Sequence, residues 1–234
     1  MSKKQLGIFA GIIVLGVISW TVHFYWPQIR GLAPALGEPP EDITQNIPPA
    51  GPTPNTTPGE RIPLALPKGF SVSIFAKDLS SARVIKKDVG GNFWVSRSKE
   101  GIVTRLETRA GVVVGQKNVF TGLNKPHGLA LDPQDPSVLF IAEQDGISTV
   151  SIDKNGTGNT LKKIATLPSG GNHNYYSIGF GPDDRLYVAL GSTCNVCHEQ
   201  DTRRAKIHSM KKDGSDFKEF ARGLRNAPFF TWNP

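Results

Sequence analysis

The feature that most constrains this chain is a repeated series of short apolar runs separated by turn-forming clusters. In its clearest copy, Ser177 to Phe180 and Arg185 to Leu190 are runs of apolar and β-favouring residues, and Gly181-Pro182-Asp183-Asp184 between them has the composition of a tight hairpin turn. A third run, Ala205 to Met210, follows a loop that carries two cysteines, and Lys212-Asp213-Gly214 turns it into a fourth, Phe217 to Ala221. The same grammar recurs upstream in Gly128 to Leu131, Asp132-Pro133, Val138 to Ala142, Ser148 to Ile152 and Lys154-Asn155-Gly156. A weaker copy comprises Arg83 to Ile85, a turn over Asp88 to Asn92, Phe93 to Ser96 and Ile102 to Glu107. Four short antiparallel strands joined by turns make one propeller blade. Equivalent turns recur at roughly 45–50 residues, a spacing that suits propeller blades rather than helical repeats. Phe229-Phe230-Thr231-Trp232-Asn233-Pro234 reads as the first strand and turn of another blade. The expected fold is therefore all-β, a partial propeller of about three blades and the start of a fourth.

The N-terminus has a different character. Behind Lys3 and Lys4, Leu6 to Trp26 is an apolar run of about twenty residues with no interior charge, long enough to cross a bilayer core. It exceeds a usual signal-peptide core and no A-x-A cleavage site follows closely, which favours an uncleaved transmembrane helix. Trp20, Phe24, Tyr25 and Trp26 near its outer end suit an interfacial aromatic belt, and the two lysines orient the N-terminus towards the cytoplasm. Pro39-Pro40, Pro48-Pro49 and Pro52-Thr53-Pro54 then mark a stiffened tether. The expected organisation is a membrane anchor over residues 1–30, a Pro-rich linker over 31–63 and the propeller over 64–234. It implies a single-pass protein of the cell membrane with its folded domain on the extracytoplasmic side.

Composition excludes some functions. With 38% hydrophobic residues in 234, the chain can hold one domain of about 170 residues once anchor and tether are set aside. The net charge of +7 would permit nucleic-acid binding, but the basic residues are scattered through turns with no basic helix or aromatic-basic stripe, so no nucleic-acid partner is expected. Gly90-Gly91 and similar pieces lie in turns, not between a strand and a helix, and make no phosphate or dinucleotide loop.

Cys194-Asn195-Val196-Cys197-His198 admits three chemistries. C-x-x-C-H in an exported protein is the attachment signature for c-type haem. A local disulfide suits an oxidising compartment. A zinc site would need two further ligands, from His198, His173 or His208. Met210, the methionine of the folded region, lies in a predicted strand, which leaves haem without its usual second ligand.

Four motifs in order carry a more specific likeness: Lys125-Pro126-His127-Gly128-Leu129, the His173 to Asp183 segment, Ser192-Thr193-Cys194-Asn195-Val196-Cys197, and Arg222-Gly223-Leu224-Arg225-Asn226. From about Leu64 onward the chain resembles the soluble quinoprotein glucose/sorbosone dehydrogenases, six-bladed propellers that oxidise sugars with pyrroloquinoline quinone (PQQ). The resemblance implies an oxidoreductase acting on CH–OH groups of an aldose or sorbosone-like sugar, with an electron acceptor as a further partner. His173 matches the family's base, a suitable residue type because imidazole exchanges protons near neutrality. Arg225 and Asn226 match residues aimed at the quinone, whose carboxylates call for cationic and amide donors. His127 opens the preceding blade, where two readings stay open: it faces the same cleft, or it is a buried histidine satisfied by backbone. The family carries the Cys-Asn-Val-Cys element without haem, in line with a Cys194–Cys197 disulfide.

Departures narrow the reading. Glucose-oxidising members have aspartate before the histidine and glutamine after the Arg-Asn pair, where this chain has Asn172 and Pro228, so glucose is not implied. Calcium is implied for a complete protein, but its ligands are expected beyond the end of this chain and no metal ligand is named. An open stack of three blades would expose apolar faces, so a truncated reading frame is expected, with pairing of two half-propellers as the other route to closure. Besides the dehydrogenase, a non-catalytic propeller that binds carbohydrate or a protein partner remains open. A lactonase-type hydrolase with metal-binding carboxylates is a third reading.

Overall fold

The computed structural model describes Gln5 and residues 14–17, 19–23 and 65–233. The chain divides into two units, Met1–Ser73 and Ile74–Pro234. In the first, Gln5 and residues 14–17 and 19–23 are helical, with Val14, Leu15, Val17, Trp20 and Val22 exposed. Most of the expected anchor and all of the 31–63 linker lie outside the described residues. Among the described residues no helix is long and apolar enough to cross a membrane.

The second unit is all-β. It contains three four-stranded antiparallel sheets, each a meander in chain order. The first is β1 (Ala82–Lys87), β2 (Phe93–Arg97), β3 (Ile102–Arg109) and β4 (Val112–Phe120). The second is β5 (Leu129–Leu131), β6 (Val138–Glu143), β7 (Gly146–Ser151) and β8 (Lys162–Thr166). The third is β9 (Ser177–Phe180), β10 (Leu186–Leu190), β11 (Lys206–Met210) and β12 (Lys218–Arg222). First strands meet first strands, β1 against β5 and β5 against β9, as in blades of a partial propeller arranged side by side. Gly128 N–H donates to the Tyr176 carbonyl at 3.0 Å, and Ser96 Oγ donates to the His127 carbonyl at 2.7 Å, so each blade is tied to the segment that leads into the next one's first strand.

The apolar runs explain this stacking. Along β6, Leu139 and Ile141 join a cluster with Trp94, Val103 and Phe120 of the first sheet, while Phe140 and Ala142 join Ile178, Leu186, Val188 and Leu190 of the third. Side chains alternate across a strand, so a strand covered on both faces must be apolar at every position. Each fully buried large side chain contributes about 1.5–3 kcal/mol. Outer strands read differently: β4, β8 and β12 are largely exposed and carry Lys117, Lys162, Lys163 and Lys218, charges that discourage edge-to-edge pairing.

Two turns of one type lock neighbouring blades. Lys154-Asn155-Gly156 and Lys212-Asp213-Gly214 both place their glycine at positive φ, +70° and +87°. A Cβ on Gly156 would overlap the Arg105 side chain of β3, and one on Gly214 would overlap the Ile164 carbonyl of β8. Each glycine thus presses a blade's turn onto the sheet before it.

Two differences from the sequence reading stand out. Strands β4 and β8 lie where that reading names none, because outer strands lack a continuous apolar signal. The expected strand after Pro228 is absent: residues 229–233 form no strand, and Pro234 lies outside the described residues. The segment pairs with no ladder and instead packs by its rings, Trp232 lying 4.6 Å from Tyr187 and 5.8 Å from Phe220 between centroids. It lies against β9, with the Pro228 carbonyl accepting from Ser177 Oγ and the Phe230 ring meeting Gly179.

Candidate functional site

The antiparallel order of the third blade decides which loops share an end. The segment before β9, the loop after β10 and the segment after β12 all emerge on one side. They carry His173, Ser192 to Cys197, and Arg225 with Asn226 respectively.

Buried Arg204 shapes the approach to His173. It is 4% exposed, and its guanidinium donates to the carbonyls of Ser169 at 2.7 Å, Gly170 at 2.9 Å and Gly191 at 3.3 Å. Tyr176 adds a hydrogen bond from its hydroxyl to the Pro168 carbonyl. The chain leading to His173 is therefore held on both sides although it has no regular secondary structure.

His173 itself is half-buried, with Nδ1 at 3.1 Å from the Ser192 carbonyl oxygen and 3.0 Å from Ser192 Oγ. The Ser192 hydroxyl donates its proton to the Cys194 carbonyl at 2.6 Å. A carbonyl can only accept, and the hydroxyl proton is already committed, so Nδ1 carries the hydrogen and donates it to Ser192. Nε2 is left with its lone pair, and no protein hydrogen bond to it occurs among the described residues. This is the tautomer a general base needs.

Ser192 also reaches the third segment, its N–H donating to the Arg225 carbonyl at 2.8 Å. Leu224 N–H donates to the Ala205 carbonyl at 3.0 Å, fixing the same segment at the start of β11. The Arg225 side chain is exposed, and its Nη1 donates to Asn195 Oδ1 at 2.7 Å; Asn226 follows it on the exposed rim. The structure thus brings His173 and Arg225 to a common partner.

Cys194 and Cys197 form a disulfide. With both sulfurs bonded to each other, neither is free for a thioether or a thiolate–metal bond. His208 is buried in packing, stacked 4.6 Å from Phe217 and donating from Nε2 to the Arg203 carbonyl at 2.8 Å. Burial lowers its pKa. His198 is exposed. Among the described residues no group of three or more His, Cys, Asp or Glu is placed to hold a metal ion. A cavity of about 490 Å³ lies beside the disulfide, bounded by Pro168, Ser169, Thr193, Cys197, His198 and Arg204 among others.

His127 lies before β5, at the corresponding end of the second blade, but only 1% exposed. Its ring packs 5.5 Å from Tyr175 and 6.1 Å from Phe229, and Nδ1 is 3.3 Å from the Tyr176 carbonyl. Burial pushes the imidazole pKa down to about 4. The structure seats it in the packing of the inner strands.

Ser192, Asn195 and Arg204 are contributions that sequence reasoning left without a role. Ser192 and Asn195 belong to a motif singled out for its cysteines, and their partners lie on other segments. Arg204 looks like one more basic residue in a turn.

The fold and this rim define a class: a partial β-propeller whose loops gather a histidine, an arginine and an asparagine at one end of a blade. No family model matches the chain. No curated protein matches it either. Solved structures do resemble it. The PQQ domain of pyranose dehydrogenase from Coprinopsis cinerea, in its holo form, is 20% identical with a TM-score of 0.54 over 59% of this chain and 35% of that one. A Trichoderma reesei protein of carbohydrate-active enzyme family AA12 is 19% identical with a TM-score of 0.53, over 62% of this chain and 38% of its own. The PQQ-bound aldose sugar dehydrogenase of Streptomyces coelicolor is 22% identical with a TM-score of 0.50, over 61% and 48%. At this identity the likeness is one of fold. The chain spans between 35% and 48% of the length of these three proteins.

Proposed function

We propose that this chain is part of a PQQ-dependent sugar dehydrogenase, attached to the cell membrane by its N-terminal segment and acting outside the cytoplasm on an aldose or sorbosone-like sugar. The observation that carries the reading is the joining of His173 and Arg225 through Ser192. It combines a base of defined tautomer with a cation on one rim. Structural neighbours that are PQQ-dependent sugar dehydrogenases support the same reading. The exposed apolar residues Val14, Leu15, Val17, Trp20 and Val22 support the membrane attachment.

The donor set suits the cofactor. Arg225 spends one N–H on Asn195 and keeps most of its five donors for carboxylates, and Asn226 adds an amide beside it. When bound, the quinone supplies the redox chemistry by accepting hydride from the sugar carbon. His173 Nε2 takes the hydroxyl proton, and the resulting positive ring is stabilised by its Nδ1–H contacts to Ser192. An electron acceptor that reoxidises the cofactor completes the set of partners. Calcium belongs to the proposal for the whole protein, and none of the described residues is assigned to it.

The test uses a chain extended to full propeller length and supplied with PQQ and calcium, with dye reduction measured across aldoses and sorbosone-like substrates. Activity that falls by orders of magnitude in His173→Gln, with the fold intact, supports the reading. The 234-residue chain alone is expected to bind PQQ weakly and to show no calcium-dependent turnover. Inactivity of the extended protein on every sugar would favour a non-catalytic carbohydrate- or protein-binding propeller.

A further inference from the structure

Arg225 is held at two points, and both holders lie on one loop. Ser192 fixes its backbone carbonyl at 2.8 Å, and Asn195 Oδ1 accepts from its guanidinium at 2.7 Å. An exposed arginine is rich in rotamers, so a charged end without a fixed acceptor samples many positions. Asn195 is an acceptor whose own place is set. It stands between Cys194 and Cys197, which are bonded to each other. The Cys194 carbonyl accepts from Ser192 Oγ at 2.6 Å, and Glu199 accepts from Thr193 N–H and Oγ1, each at 2.7 Å. The Thr193 carbonyl in turn accepts from Asn172 N–H at 2.7 Å, next to His173.

We propose that Asn195 is a positioning residue for the Arg225 guanidinium, and that closure of its loop by the Cys194–Cys197 disulfide is what allows it to act. The oxidised loop presents the cation in one place, at the same end of the blade as His173. A dithiol that reduces the bridge, becoming a disulfide as the two cysteines become thiols, releases the Asn195 end of the clamp. The ligand that benefits, a carboxylate of PQQ, rests on the function proposed above; the coupling of loop to guanidinium does not.

The test has two readouts on the full chain. In nitrogen-detected NMR of the arginine side chains, Arg225 should show separate, slowly exchanging Nη signals in the oxidised protein. Those signals should average in Asn195→Ala and after dithiol reduction, and reappear in Asn195→Asp, whose carboxylate is also an acceptor. Unchanged Arg225 signals in Asn195→Ala or in the reduced protein, with circular dichroism confirming the fold, would overturn the inference. Titration with PQQ should show affinity about fivefold lower in Asn195→Ala and in the reduced protein, the size of one exposed charge-assisted hydrogen bond. If the oxidised wild-type protein, extended to full propeller length, binds no PQQ, the cofactor reading fails while the NMR arm still decides the positioning role. PQQ binding that is unaffected by either change overturns the role of Asn195 in presenting Arg225.

Discussion

The backbone N–H of Ser192 donates to the carbonyl oxygen of Arg225 at 2.8 Å. From its other side Ser192 receives Nδ1–H of His173, so one residue after β10 joins the segment that enters the blade to the segment that leaves it. The meander makes this meeting possible, since in four antiparallel strands the start of the first and the ends of the second and fourth fall together. Local hydrogen bonds then set the distances.

Buried His127 should make stability depend on pH. Its folded pKa is about 4 against 6.5 for the unperturbed group. Between those values the unfolded chain binds the proton and the folded chain does not. The stabilisation is therefore fully present above the unfolded value and is lost as pH falls towards 4; a gap of this size is worth about 3 kcal/mol. His208, also lowered by burial, acts in the same direction. Urea midpoints measured from pH 7.5 to 4.5 should fall steadily, and more shallowly in His127→Gln. An equal slope in that variant would remove His127 as the cause.

Gly214→Ala should destabilise the domain by about 2–4 kcal/mol, combining strain at positive φ with overlap against the Ile164 carbonyl. Denaturant unfolding measures the loss. A cost below about 0.5 kcal/mol would mean that the turn does not press on β8 as described.

Arg204→Met keeps the apolar stem and removes the donors to Ser169, Gly170 and Gly191. The expected effect is local. Amide exchange at residues 169–173 should accelerate about tenfold or more, while global stability falls by roughly 1–2 kcal/mol. Exchange that stays at wild-type rates would show that Tyr176 and the backbone suffice to hold the segment.

The purified chain should have an intact mass lower by two hydrogens than its fully reduced form and no covalently attached haem. A Soret band that survives denaturation would contradict this expectation and return the C-x-x-C-H motif to its haem reading.

Much of the blade pattern was legible in linear order. A strand covered on both faces must be apolar throughout, and β6 and β10 stand out for that reason. Turn clusters such as Lys154-Asn155-Gly156 mark themselves because few residue types accept the backbone they need. β4 and β8, half-solvated, carry no such signature.

By itself the sequence determined the all-β character, the order of the blades and the residue types available to the rim, since these follow from local periodicity, turn chemistry and side-chain functional groups. Tertiary structure decided that His127 is packed away, that His173 carries its hydrogen on Nδ1, and that Arg225 leans on Asn195. Each of these depends on a partner from a different segment. Hydrogen-bond direction and desolvation are properties of a place in space, and a residue acquires them only when the chain around it has folded.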